Sequence, residues 1–283
     1  MTTNALSTIH DQRRWLLPLI IILLIAQQFL AVPGDTLFDR NLHNAFHFPW
    51  FFTVTMLLRL VFGAWLPAML AALSLALVTE GVQLFTSREA SAGDLARNAA
   101  GALAAWCVWI GVTARRWPFV LTAVGLGAMA FAPVAYAVVS KRYVHDQFPV
   151  LLKTEDARGR AYARATTEWS ASADGIRITI DDSSWPGLHL TEPVRDWSGC
   201  ATLNVELSLD DGPAVDLFVG LLLKPGDGIT NFSLQRVEPG HGHVRVALAE
   251  LLPSEGAPVH DVFIYTTGTY TGRSLTFHRV WLE

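Results

Sequence analysis

The chain has 283 residues, 51% hydrophobic and 16% charged, with a formal net charge of −4. That length has room for two domains, and the slightly acidic balance excludes the basic surface that binding of nucleic acid requires, so no nucleic-acid partner is expected. The two cysteines, Cys107 in an apolar run and Cys200 in a polar one, have neither metal-site nor redox spacing, and both read as small inert thiols.

Composition divides the chain into three parts: a transmembrane domain over 1–140, a linker over 141–159 and a β-sandwich over 160–283. A membrane-crossing helix needs about 20 apolar residues, and five segments approach that: 15–33, 48–65, 66–86, 95–114 and 118–140. The first follows Arg13 and Arg14, as a signal peptide would, but its apolar core is long and no small-residue cleavage site precedes "GDTLFDR". An uncleaved helix is therefore expected. Arg13, Arg14, Arg59, Arg115 and Arg116 fall on one side, against Arg40, Arg88, Arg97, Lys141 and Arg142 on the other. That modest bias, with five spans, places the N-terminus in the cytoplasm and the C-terminal domain outside the membrane.

In this topology the segment 34–47 is an outer loop carrying Asp39, Arg40, His43 and His47, and it shares a face with a second loop, 87–94. Glu80 and Gln83 are three residues apart on the end of one helix, while Asp94, Asn98 and Gly101 follow helical spacing at the start of the next. Asp94 is a candidate N-cap. An ionisable group below the membrane surface is costly unless paired or hydrated. Glu80 therefore either clamps Arg88 structurally or lines a wet pocket.

The segments "FDRNLHNAFHF" and "EGVQLFTSREASAGDLARNAAGAL" resemble the VanZ-like membrane family over about residues 15–115. The family pattern is an Asp-Lys pair with His four residues after the Asp, then Glu-x-x-Gln, Arg, Asp-x-x-x-Asn and Gly. Here Arg40 replaces the usual Lys, and His47 stands where an aromatic is common. The resemblance implies a bacterial envelope protein of the cytoplasmic membrane, in a family linked to glycopeptide antibiotic resistance but without a settled activity. It also implies that Asp39, Arg40, His43, Glu80, Gln83, Arg88, Asp94 and Asn98 form one ligand-binding or catalytic site.

The chemistry of that set suits an anion. Arg40 and Arg88 could grip a phosphate or carboxylate, and Glu80, Asp39, Asp94 and His43 offer acid and base groups. An envelope lipid or lipid-linked precursor is the expected partner; the alternative is an enzyme acting on such a substrate by carboxylate acid/base chemistry. His43 and His47 have i, i+4 spacing, but no second cluster completes a metal shell, and neither a metal nor a cofactor is expected. Ser87 and Ser91 sit in no nucleophile elbow.

Beyond residue 160, "IRITI", "ATLNVELSL", "AVDLFVGLLL", "FSLQRV", "HVRVAL", "VHDVFIYTT" and "SLTFHRVWL" alternate with period two between Gly, Pro, Asp and Ser punctuation, predicting an all-β sandwich. The succession looks like the jelly-roll, galactose-binding-like modules of carbohydrate-active proteins, which implies a polysaccharide partner. The closing strand carries His278 and Arg279 where such modules often place acidic calcium ligands, so no calcium is expected. Trp185, Trp197, Tyr265 and Tyr270 are candidate glycan platforms, one or two of them exposed, with Asp181, Asp182 and Arg236 as polar partners. "HGH", His241 to His243, reads as a hairpin turn.

Overall fold

The computed structural model describes residues 15–24, 26, 36–83, 91–172, 174–182, 185–224, 229, 231–254 and 256–283. The chain divides into two compact units, Met1–Tyr136 and Ala137–Glu283. The first is helical; the second is an antiparallel β-sandwich.

Among the described residues, four helices are long and apolar enough to cross a membrane: α2 (Leu37–Phe62), α3 (Trp65–Gln83), α4 (Ala92–Thr113) and α5 (Trp117–Asp146). A shorter apolar helix, α1 (Trp15–Leu24), precedes them, and most of the remainder of the first expected span lies outside the described residues. The largest correction concerns α2, which begins eleven residues before its expected start and turns the supposed outer loop into helix. Thr36 is the reason. Its hydroxyl oxygen accepts the Asp39 N–H at 3.0 Å, and its O–H donates back to the Asp39 carboxylate, a reciprocal cap that starts the helix. Pro49 lies inside α2, where its missing N–H forgoes one intrahelical bond. Burial of Phe48, Phe51, Val54 and Leu58 carries the helix through it, and Gly63 (φ 71°) ends it in the left-handed conformation.

Small residues let the helices approach closely. Ala68, Ala72 and Ala76 form a fully buried i, i+4 stripe on α3, and Ile20, Val54, Leu58 and Ala102 join Ala68 and Ala72 in one cluster. On α4, Gly101 lies so near α2 that a Cβ there would stand 2.3 Å from the Phe48 carbonyl oxygen. A second cluster, Phe48, Ala104, Cys107, Ala123 and Ala130, ties α2, α4 and α5, and the Asn41 side-chain amide donates to the Pro133 carbonyl at 3.1 Å. Cys107 is a free buried thiol and Cys200 a free, half-buried one.

Among the described residues, the sandwich unit contains eleven strands. Between residues 141 and 160 the chain completes α5, forms β1 (Val150–Lys153) and makes the short α6 (Ala157–Arg160). Next come β2 (Ala163–Ala165), β3 (Trp169–Ala171), β4 (Ile176–Thr179), β5 (Gly187–Thr191), β6 (Thr202–Leu209), β7 (Val215–Leu222), β8 (Phe232–Val237), β9 (Gly240–Ala247), the short helix α7 (Leu248–Leu251), β10 (Asp261–Tyr265) and β11 (Ser274–Leu282). One sheet runs β3-β4-β11-β6-β9, with β1 also paired to β11; the other runs β2-β5-β10-β7-β8. The pairs β4·β11, β5·β10, β6·β9 and β7·β8 nest inside one another and alternate between the sheets, which is the winding of a jelly roll.

Alternation sorts the side chains. Leu188, Leu190, Leu203, Val205, Leu207, Leu217, Val219, Val262, Ile264 and Phe277 point between the sheets into one core. The seven strands expected from period-two patterning all form; β1, β2, β3 and β5 are additional.

The Gly101 contact yields a paired test. Gly101→Ala is expected to destabilise the helical unit by about 1–3 kcal/mol, an overpacking cost, whereas Gly81→Ala, with nothing within 4 Å of its Cβ position, is expected to be neutral or mildly stabilising. Thermal unfolding in detergent, followed by helical circular dichroism, checks both.

Candidate functional site

In the helical unit, the Gly101–Phe48 contact fixes the register of α4 against α2 and sets Asn98, one turn earlier, opposite His47. The Asn98 Oδ1 to His47 Nδ1 distance is 3.0 Å, and Asn98 is fully buried. On the same turn of α4, Asp94 accepts from Arg97 at 2.7 Å and lies 3.9 Å from His47 Nε2. Asp39, His43 and His47 repeat every four residues along α2, so they form one stripe, with the two imidazole rings 6.1 Å apart edge to face.

Glu80, on the last turn of α3, is only 8% exposed. Its Oε2 accepts the Ser91 N–H at 3.1 Å, which puts the carboxylate against the positive end of α4. Ser91, rather than Asp94, is the N-cap: its extended backbone lets the short side chain accept the Gly93 N–H at 3.1 Å, which leaves Asp94 free to pair with Arg97. Gln83 is buried beside Glu80 on the same helix end, and Arg40 is half-buried. Arg88, and with it the Glu80–Arg88 clamp, lies outside the described residues.

Two buried polar atoms in this region, Glu80 Oε1 and Asn98 Nδ2, have no hydrogen-bond partner among the described residues. One accepts and the other donates. Buried polar groups are nearly always satisfied, so each calls for a bound group, water or a side chain outside the described residues. Among the described residues no group of three or more His, Cys, Asp or Glu is arranged to hold a metal ion. His47, which the sequence pairs with His43 at i, i+4 spacing, meets Asn98 and Asp94, and Arg97 joins through an i, i+3 step from Asp94 that the sequence reading does not assign to the site.

In the sandwich, the outward face of β2-β5-β10-β7-β8 is aromatic. Val262 and Ile264 point inward from β10, so Asp261, Phe263 and Tyr265 point outward; the same alternation turns His189 outward from β5 and Phe218 from β7. Register then lines these residues up in rows. Phe263 lies between His189 and Gly220, with Phe232 beyond Gly220; Tyr265 lies between Gly187 and Phe218, with Leu234 beyond. His189 stacks on Phe263 with centroids 4.2 Å apart, and Phe218 contacts both Trp185 (5.5 Å) and Phe232 (5.6 Å). Trp185 is 50% exposed and Phe232 is 59% exposed. Arg236 stands on the same face opposite Asp216, while Asp181 and Asp182 fall in the β4–β5 connection.

Of the four expected platforms, Trp185 is open and Tyr265 is part of the rows. Trp197 is withdrawn: it is 2% exposed in the core, with its indole N–H donated to the Val194 carbonyl. Tyr270 packs partly against the core, and its O–H donates to Asp216 Oδ2 at 3.1 Å. Burial, together with the Asp261 carboxylate, pushes the Tyr265 phenol up to about 12, so it stays a neutral donor in neutral solution. Asp261 itself sits between His189 (3.2 Å) and His260 (3.1 Å) and accepts the Glu192 N–H at 3.2 Å. Burial acts to raise its pKa, but the hydrogen bond and charge of His189, the Glu192 N–H and His260 outweigh that and hold it below the usual value. The "HGH" residues are also corrected. The β8–β9 turn comes earlier, at Glu238 and Pro239, and His241 and His243 lie within β9, paired with Ser208 and Glu206.

No family model and no curated protein matches the chain. Solved structures similar to it include an arabinose-bound α-L-arabinofuranosidase (14% identity, TM-score 0.36, 47% of this chain and 26% of that one). They also include a family 11 carbohydrate-binding module from Clostridium thermocellum in complex with a β-1,3-1,4-mixed-linked tetrasaccharide (9%, TM-score 0.32, 42% and 82%). A family 29 carbohydrate-binding module from Piromyces equi is a third (9%, TM-score 0.33, 47% and 87%). The chain thus spans about a quarter of the arabinofuranosidase and most of each binding module. At these scores the jelly roll rests on its own strand order.

Because the folded pKa of Asp261 is depressed, its contribution to stability is present above the unfolded carboxylate value and is lost as pH falls through the lower folded one. Asp261→Asn is therefore expected to cost about 1–3 kcal/mol at neutral pH. It should also flatten the acid limb of a stability profile taken between pH 2 and pH 7 (about the span of carboxylate titration) by denaturant unfolding.

Proposed function

We propose that the chain is a bacterial cell-envelope membrane protein whose β-sandwich binds a polysaccharide on the outward face of β2-β5-β10-β7-β8. The observation that carries this reading is the set of exposed and half-exposed rings, Trp185, Phe232, Phe218, Phe263 and Tyr265, laid in rows on a single face. Ring faces pack against the apolar faces of pyranoses, and the rows extend along a sheet in the way an extended chain of sugars requires. The Tyr265 phenol, Arg236 and the His189–Asp261 pair supply polar groups beside the rings.

In this reading the helical unit is VanZ-like. It sits in the cytoplasmic membrane with the N-terminus inside and the sandwich outside. Its polar constellation, Asp39, Arg40, His43, Glu80, Gln83, Arg88, Asp94 and Asn98, holds a lipid-linked or anionic envelope ligand. Glu80 Oε1 and Asn98 Nδ2, which have no hydrogen-bond partner among the described residues, support a ligand there, because a cluster closed by those residues would leave neither buried atom unsatisfied. The same Glu80 oxygen favours a second reading, an enzyme using that carboxylate as acid or base on a lipid-linked or phosphorylated substrate.

The full chain in detergent is expected to bind soluble oligosaccharides in calorimetric titrations against a panel of β-glucans, arabinans and peptidoglycan fragments. Trp185→Ala and Phe232→Ala are each expected to weaken that binding by about tenfold or more. Failure to bind any member, or unchanged affinity in both variants, would contradict the glycan reading. For the helical site, Glu80→Gln is expected to abolish binding of the envelope lipids that wild type retains; loss of thermal stability instead, with binding intact, would make the cluster a brace.

A further inference from the structure

The outward face of the opposite sheet carries a different chemistry. Ser208, half-exposed on β6, has its hydroxyl oxygen 2.7 Å from His278 Nε2 and 3.2 Å from His241 Nδ1. On its other side, His278 Nδ1 meets the backbone carbonyl of Asp174. A carbonyl oxygen only accepts, so Nδ1 carries a hydrogen, and in the neutral ring Nε2 is then a bare acceptor aimed at the Ser208 O–H. His241 Nε2 lies 3.1 Å from Glu206 Oε1, which orients that second ring.

Two local features produce this arrangement. Phe277 points into the core, so alternation turns His278 to the outer face, and the slip in the pairing of β11 with β6 between Phe277 and Arg279 leaves Arg279 outward as well. Gly175, with φ +155°, brings the turn before β4 against β11; a Cβ there would stand 2.6 Å from the Phe277 carbonyl oxygen. That approach is what delivers the Asp174 carbonyl to His278. Beside them opens a cavity of about 420 Å³ whose wall includes both imidazoles, Glu206, Lys153 and Arg279.

We propose that Ser208 is a nucleophile activated by His278, and that small carboxylic esters reach its half-exposed hydroxyl beside the cavity that its two imidazole partners line. Ser208 Oγ bonds to the ester carbonyl carbon as its proton passes to His278 Nε2, and the carbonyl π pair moves onto oxygen. That pair returns, the carbon–alkoxide bond breaks, and the alkoxide takes the proton from Nε2 to leave as an alcohol. Water then adds to the acyl carbon and gives one proton to Nε2. Collapse returns that proton to Ser208 Oγ and releases the carboxylic acid, so the net change is ester plus water to acid plus alcohol. The Asp174 carbonyl steadies the imidazolium through Nδ1, and Lys153 and Arg279 are the cavity's cations for the developing oxyanion. This inference does not depend on the glycan reading, which concerns the other sheet.

The test is labelling of the full chain in detergent by a fluorescent alkyl fluorophosphonate, located by peptide mass spectrometry, with p-nitrophenyl acetate hydrolysis alongside. Wild type is expected to be modified at Ser208, Ser208→Ala not at all, and His278→Gln at least about a hundredfold more slowly, with β-sheet circular dichroism unchanged in each. No labelling at Ser208, or equal labelling in His278→Gln, would each overturn the proposal.

Discussion

The sandwich depends on the period-two alternation of a strand forced to bury one of its faces. Once Leu188, Leu217, Val219, Val262 and Ile264 are committed to the core, their neighbours have no choice of side. Phe263, Tyr265, Phe218 and His189 must stand outside, and antiparallel register brings them into rows. Shifting β10 by one residue would bury those rings and expose Val262 and Ile264. The outward aromatic face and the hydrophobic core are thus two consequences of one constraint.

The same constraint acts on the opposite sheet, where Phe277 turns inward and His278 therefore outward, within reach of Ser208 and the Asp174 carbonyl. In the helical unit, desolvation replaces alternation as the governing effect. Buried Asp94 finds Arg97, His47 finds Asn98, and one Glu80 oxygen finds the amide end of α4. Among the described residues those pairings leave one acceptor on Glu80 and one donor on Asn98 without a hydrogen-bond partner.

The sequence reveals the long, regular elements. Seven strands with clear alternation and the apolar cores of four long helices follow from periodicity, because burial is expressed over many residues. Short elements escape: β2 and β3 have three residues each, too few for a period, and β5 carries its signal in only Leu188 and Leu190. The start of α2 was hidden by its own polar stripe, which lowers the hydropathy over residues 37–47 although Thr36 and Asp39 provide a cap. The "HGH" stretch resembles a turn because glycine is common there, yet a true turn two residues earlier, at Glu238 and Pro239, makes it strand. At the site, spacing correctly groups Asp94 with Asn98 and Glu80 with Gln83 on common helix faces, but which partners they meet is set by the Gly101 approach, a contact 53 positions away from Phe48 in sequence (101 − 48).

The most direct test of the central claim is hydroxyl-radical footprinting of the full chain with and without a bound polysaccharide. Trp185, Phe232 and Tyr265 should become protected, while Trp169, 44% exposed on the other sheet, should keep its reactivity. Protection of Trp169 with no change at Trp185 and Phe232 would contradict the account and move recognition off the aromatic face.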